Sequence, residues 1–538
     1  MSKKGKKGSR KRKVTRRDFL KTSAAGAAGA LLAACAPAAT PTPAPEATPT
    51  PPPPAPTPVP PPTPTVLKAQ EVKFIVGQNF FGDMNPYSNW ITASAEVTNH
   101  ICDTLVKWDE KQANIIPELA ESWEVVDPNT WVFKLKEGVK FHDGTEFTAD
   151  SVKYSLEEIQ VGEYGMAFST LFVPMEIEVV DKYTAKVKTE VPYSALLPNL
   201  TIVGMLDPVQ TKEEIDVAPI GTGPFKFVSR EGNTIVVEAH EDYWRGKPQI
   251  SQITFDYVED PSTRIVAVRS GEAQIAERIP VDRVKELEED PATKVIVAPT
   301  NETTRWTGIT DKFPWNDIKF REAFWHAVDR QELIDAFLEG LFPVATAHCA
   351  KSVFGYPPDL KEIPYDPELA KSLLDESTYA GEELEFVGPA GYHPKNAEIM
   401  QAVGDMVAPL GINIRANPME VGAFIDRIGS EDFYGISYSS WVSWTGDADF
   451  VIGFLYLLGN WAHWSDPVTQ ETFAASREEF DPDKRRAKLQ ECFRSIWEGY
   501  MSVSFYETVQ VVAMAQNLEN WLTPPTMLLV AEPDTYLS

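Results

Sequence analysis

Cysteine is nearly absent from this 538-residue chain, which has only Cys35, Cys102, Cys349 and Cys492. No two of them form a C-x-x-C pair, which excludes a zinc knuckle and a thioredoxin-type redox site. Among Cys102, Cys349 and Cys492 at most one disulfide can form, and Cys492 falls in a helical apolar pattern that marks a core thiol. Histidine is scarce too: seven residues, among them His142, His326 and His463, stand without metal-ligand spacing. No metal site and no cofactor is therefore expected. The chain lacks both a G-x-S-x-G nucleophile elbow and an H-E-x-x-H zinc helix. Asp447 and Asp449 are the one carboxylate pair an exported glycosidase could use, although Gly446 argues that they sit in a loop. Basic residues are outnumbered 50 to 78, for a formal charge of −28. Such a surface repels nucleic acid and anionic lipid headgroups. Long apolar runs are missing as well. The one candidate, residues 24–34, is too short and too alanine-rich to span a membrane.

What is present begins at the N-terminus. Thr15-Arg16-Arg17-Asp18-Phe19-Leu20-Lys21 fits the twin-arginine pattern read by the Tat export machinery. The apolar stretch behind it ends Leu32-Ala33-Ala34-Cys35, which resembles a bacterial lipobox. Cys35 would then carry acyl chains as the first residue of the mature protein, which lipid would anchor to the extracytoplasmic face of the cell membrane. Residues 1–34 hold eleven of the 50 bases and one of the 78 acids, so their removal leaves 39 against 77, a net of −38. Residues 36–65 are almost entirely Pro, Thr and Ala. They cannot bury apolar surface and are expected as extended polyproline II, a tether on the order of 90 Å at roughly 3 Å per residue.

From Val66 the composition becomes globular. Val72-Lys73-Phe74-Ile75-Val76 reads as a strand, and Trp131-Val132-Phe133-Lys134-Leu135 alternates apolar and polar. Turns at Glu137-Gly138 and Asp143-Gly144 around Val139-Lys140-Phe141 suggest a hairpin. Thr148 is a natural N-cap for a helix from Ala149 to about Glu158. Further strands are expected at 185–188, 234–239 and 252–258. Phe320, Phe324, Ala327, Val328, Ile334 and Phe337 fall on one face of a helix ending at Gly340. A helix over 396–409 leads into a strand at 412–414, the alternation of an α/β domain. Another helix over 483–499 precedes apolar strands at 503–506 and 509–514.

Several motifs then converge. Ile116-Pro117-Glu118-Leu119-Ala120-Glu121-Ser122-Trp123-Glu124 is followed by Trp131–Leu135, Gly138-Val139-Lys140-Phe141-His142-Asp143-Gly144 and Phe147-Thr148-Ala149-Asp150. With Asn85-Pro86-Tyr87, Gly221-Thr222-Gly223-Pro224-Phe225, Tyr243-Trp244-Arg245-Gly246-Lys247-Pro248 and Arg321-Glu322-Ala323-Phe324 through Asp329-Arg330, this closely resembles the peptide/nickel family of ABC-transporter solute-binding proteins. The resemblance runs from Val66 to the C-terminus. It implies an α/β fold of the two-lobed, class II periplasmic-binding type that closes over a ligand. It also implies an ABC permease and ATPase as partners and an oligopeptide as cargo, with an oligosaccharide as the alternative. A sensor that binds without transport, or an exported hydrolase, are the other readings. Placing the family architecture on the chain gives a signal peptide at 1–35 and the tether at 36–65. A hinge-side domain of lobe I follows from 66–92, 219–300 and 508–538, an inserted hairpin-rich domain from 93–218, and lobe II from 301–507.

The resemblance also suggests a site in Tyr438-Ser439-Ser440-Trp441-Val442-Ser443-Trp444-Thr445-Gly446-Asp447. In peptide-binding relatives a strand here lies beside the ligand and an Asp at its end meets the α-ammonium. Asp447 matches that Asp, though Gly446-Asp447 also reads as a plain turn. Ser443, Trp444 and Thr445 share the run. On a strand Trp441 and Trp444 point to opposite faces, so one faces the cleft and the other the core. Trp461, Trp464, Trp315 and above all Trp306 are further aromatic candidates, although for each the core is the commoner place. No Lys or Arg occurs between Arg427 and Arg477. That disfavours a short peptide clamped at both ends and leaves longer peptides or neutral oligosaccharides.

Overall fold

In the computed structural model, residues 70–79, 83–88, 92–109, 114–160, 171–457, 464 and 466–538 are described. The export signal, Cys35, the tether, Trp461 and His463 lie outside them.

The sheet elements follow from period-2 burial. Strand β1 (Gln70–Val76) buries Val72 and Phe74 on one face and the branched Ile75 on the other. Strands β2 (Val106–Asp109) and β3 (Asn114–Pro117) pair as a ribbon. Strands β4 (Ala120–Asp127), β5 (Thr130–Leu135), β6 (Met175–Asp181) and β7 (Thr184–Thr189) form an antiparallel sheet in the order β4-β5-β7-β6. In β5 the residues Trp131, Phe133 and Leu135 point inward, as the alternation predicts. Its partners, however, are β4 and β7. The expected strand at 139–141 reduces to an isolated bridge between Lys140 and Glu146, with Gly138 and Gly144 supplying the positive φ of the two turns. Helix Ala149–Glu158 starts at the N-cap Thr148, whose N–H donates to Ser151 Oγ at 3.4 Å.

Next come β8 (Phe225–Glu231), β9 (Thr234–Ala239), β10 (Ile250–Tyr257), β11 (Ile275–Ala276) and β12 (Thr293–Gly308). They are followed by β13 (Glu383–Pro389), β14 (Asn413–Met419), β15 (Ile436–Val442) and β16 (Ser502–Ala515). Together with β1 they build a ten-stranded sheet in the order β14-β13-β15-β12-β16-β11-β1-β10-β9-β8. A last hairpin is made by β17 (Leu518–Leu522) and β18 (Val530–Leu537).

Only β12 and β16 run the length of this assembly. Residues 293–299 of β12 pair with 509–515 of β16, next to β11; residues 303–307 pair with 502–507, next to β15. The ladder shifts register between Pro299 and Thr303 and again between Thr304 and Arg305. Proline cannot donate to a ladder, and such irregularities sharpen local twist. Two half-sheets, each with its own packed apolar cluster, are thus joined by two crossing strands. The segments read as separate strands at 503–506 and 509–514 are one strand, because the shifts deform the pairing without ending it.

Two other expectations change. The apolar face over 320–337 belongs to two helices, Ile318–His326 and Arg330–Phe337, because Asp329 takes an extended backbone and accepts from the Glu332 N–H to cap the second. Cys102, Cys349 and Cys492 are all buried free thiols, so no disulfide forms among them.

Candidate binding cavity

Where β12 and β16 cross from one half-sheet to the other, the chain lines a cavity of about 1280 Å³ that opens to solvent. Its walls come from loops at the carboxyl ends of parallel strands: Gly77–Asn79 after β1, Arg278 after β11 and Tyr392-His393 after β13. Open α/β sheets offer their ligand crevice at this end. The floor is β12 and β15, contributing Glu302, Arg305, Thr307, Ser437, Ser439 and Trp441.

The loops brace one another with buried charge. Arg264 donates to the carbonyls of Val258, Glu259 and Arg278 at 2.7–2.8 Å. Glu277 accepts from the Gly77 N–H at 2.8 Å. Arg278 holds φ 51°, a left-handed conformation that costs energy in a side-chain-bearing residue. Its guanidinium donates to the Tyr392 carbonyl at 3.1 Å and sits 5.2 Å from the Tyr392 ring centre. On the floor, Glu302 accepts the Ser440 hydroxyl proton at 2.5 Å. Arg305 is 5% exposed, and its Nη1 has no hydrogen-bond partner among the described residues. Burial draws its pKa below the usual arginine value, against the facing Tyr456 and Glu302, but a guanidinium stays protonated throughout. His393 in the wall and His348 behind the floor are each held neutral, down to about 3, first by burial. The Arg278 and Arg305 charges add to this at His393, and those of Arg305 and Arg330 at His348.

The residues singled out in the sequence scatter across this geometry. Trp441 lines the cavity and stacks on Phe454, 4.2 Å between ring centres and 17° from parallel. Trp444 is buried outside the lining, in the apolar cluster shared with the sheet of β4–β7. Asp447 does not face the cavity as a free carboxylate. It is 3% exposed and gripped by Arg485 through Nη1 at 2.6 Å and Nη2 at 2.9 Å, and it caps helix Ala448–Ile452. Asp449 is held the same way by Arg477 at 2.8 and 2.9 Å. Both carboxylates of the would-be glycosidase pair are thus consumed by guanidinium groups. Ser443 donates to the Asp447 carbonyl at 2.9 Å and Thr445 Oγ1 accepts from its N–H at 3.3 Å, so these two shape the turn. Trp306 lies in the core, 4.5 Å from Phe505 between ring centres. Glu302, Arg305 and Arg278 all lie outside the run 438–447 that the family resemblance singled out. The available signal was a Glu and an Arg inside the otherwise uncharged strand Asn301-Glu302-Thr303-Thr304-Arg305-Trp306-Thr307. Among the described residues no group of three or more His, Cys, Asp or Glu is placed to hold a metal ion.

Residues 114–463 match the family model for the middle region of bacterial extracellular solute-binding proteins, family 5, and residues 13–33 match the twin-arginine translocation signal. The chain is similar to the glutathione-binding protein GsiB of Pectobacterium atrosepticum, with 27% identity over 487 residues, 87% of this chain and 94% of that one. Among solved structures it resembles the periplasmic binding protein DppA of Helicobacter pylori in complex with the peptide STSA, at a TM-score of 0.78 and 23% identity, covering 87% of this chain and 98% of that one. NikA of Staphylococcus aureus in complex with Ni(L-His)2 gives a TM-score of 0.77 at 20% identity, covering 87% and 100%. The mixed α/β architecture is therefore the two-lobed fold of the periplasmic binding proteins.

Proposed function

Because the chain belongs to the bacterial extracellular solute-binding proteins of family 5 and carries a Tat export signal, we propose that it captures an oligopeptide-like solute outside the cytoplasm for an ABC importer, without transforming it. The observation that carries this reading is the cavity of about 1280 Å³ at the strand crossing. It exceeds the roughly 300–1,000 Å³ of ordinary small-molecule sites, which suits an oligomeric solute. Its floor offers Glu302 and Arg305 for the two charges of a zwitterion and the ring of Trp441 for an apolar side chain. Of the three relatives named above, one is named for glutathione, one is bound to the peptide STSA and one to Ni(L-His)2; none is described with a sugar, which supports a peptide over a sugar.

In this reading residues 66–92, 219–300 and 508–538 form the hinge-side part of lobe I, 93–218 its insertion and 301–507 lobe II. The bends at 299–303 and 507–509 are the hinge, so closure couples capture to a new surface for the permease. Acylated Cys35 and the 36–65 tether keep the receptor near that permease. The test is ligand-dependent stabilisation. Purified protein should melt several degrees higher with a tripeptide-to-pentapeptide library, since occupancy of the native state alone raises stability. Turnover of any offered peptide or glycan would overturn the proposal.

A further inference from the structure

We propose that Arg305 receives a carboxylate of the solute, so that the receptor selects acids and rejects neutral oligosaccharides; this rests on the receptor reading above. Five arginines among the described residues are less than a tenth exposed: Arg264, Arg305, Arg330, Arg477 and Arg485. Four are supplied by the protein itself. Arg264 has its three carbonyls, and Arg330 donates to the carbonyls of Ala345, Ser504 and Ile363 at 2.6–3.1 Å. Arg477 and Arg485 each hold a carboxylate with two bonds. The side chain of Arg305 alone makes no hydrogen bond or ion pair to any described residue, and like Arg264 it lines the cavity.

A guanidinium carries five donors in a planar fork, and leaving such a buried cation unmatched costs several kcal/mol unless something else matches it. Glu302 lies close enough to act on Arg305 electrostatically, but no ion pair forms, and its carboxylate takes the Ser440 hydroxyl instead. The neighbouring histidines are neutral and bring no negative charge. Arg305 thus lines a roomy cavity beside an anion that is already engaged, and a planar carboxylate is the group that fits a guanidinium with two parallel bonds.

The probes are a library of tri- to pentapeptides with free carboxyl groups, the same library with every carboxyl amidated, and neutral malto-oligosaccharides. Binding is read by calorimetry and thermal shift on the wild type, Arg305→Met and Arg305→Lys. The wild type should prefer free acids over amides by about 100-fold, as a desolvated charge pair would. Arg305→Met should fold with an unchanged or higher melting temperature and lose the preference to within about threefold, while Arg305→Lys keeps part of it. If free acids bind but the preference survives in Arg305→Met, or if the wild type shows none, the Arg305 proposal alone is overturned. Tight binding of the neutral sugars overturns it as well. If no probe binds the wild type, the receptor reading falls and takes this one with it.

Discussion

Two regions of this molecule bury arginine, and they do so in opposite ways. Around helix Ala448–Ile452, Arg477 and Arg485 each meet an aspartate through two short bonds, so every buried charge is matched within the chain. On the cavity floor, Arg305 is buried as deeply, but its side chain meets no hydrogen-bond or ion-pair partner among the described residues. A matched pair locks helices together and leaves no capacity for a ligand. An unmatched charge weakens the free protein and reserves its bonds for something that arrives later. Sequence proximity to a family site pointed to the first region, and the free valence lies in the second.

The comparison breaks first if the paired region proves dispensable. Arg485→Met or Asp447→Asn leaves one buried ion without its partner and should cost about 3–5 kcal/mol in chemical denaturation. The double variant Arg485→Met with Asp447→Leu should recover part of that loss, with a coupling energy of about 1–3 kcal/mol.

The next largest effect is acid. His348 and His393 are pulled from an ordinary value of 6.5 down to about 3, and His142 likewise, while His100 falls to about 4. Between these values and 6.5 the unfolded chain binds more protons than the folded one, so stability must fall as pH drops through that window. Glu96, whose carboxyl is raised by burial and by Glu277, works in the opposite direction. A melting curve that drops between pH 6 and pH 4, and drops less in Arg305→Met, would show that the Arg305 charge reaches both His348 and His393.

A smaller effect is expected at Gly446, which turns the chain between Trp444 and Asp447 at φ 63° with the Trp108 ring 3.0 Å from where a Cβ would lie. Gly446→Ala should destabilise by about 1–2 kcal/mol. Arg305→Met is the one variant expected to lose no stability, with a change upward in sign. Equal losses for Arg305→Met and Arg485→Met would erase the distinction between the two regions.

Local signals carried well into the structure. Thr148 caps its helix, and the alternation of Trp131, Phe133 and Leu135 gives a strand with those residues inward. The family motifs likewise led to the two-lobed fold. What stayed hidden depends on contacts distant in sequence. A cap at Asp329 inside an unbroken apolar stripe splits one expected helix into two. Strand β16 bends without ending, so its halves read separately. Asp447 stands beside the expected ligand strand, but its partner Arg485 lies 38 residues on, in another helix. Arg305 went unread because only the pairing of β12 with β15 and β16 places it on the cavity floor.

The most direct measurement is native mass spectrometry of the exported protein purified gently from its own cells, followed by unfolding and identification of whatever is released. A bound solute bearing a carboxylate, intact after prolonged incubation and absent from Arg305→Met, is the predicted result. A neutral sugar in the cavity, or a solute that is steadily converted to product, would contradict it.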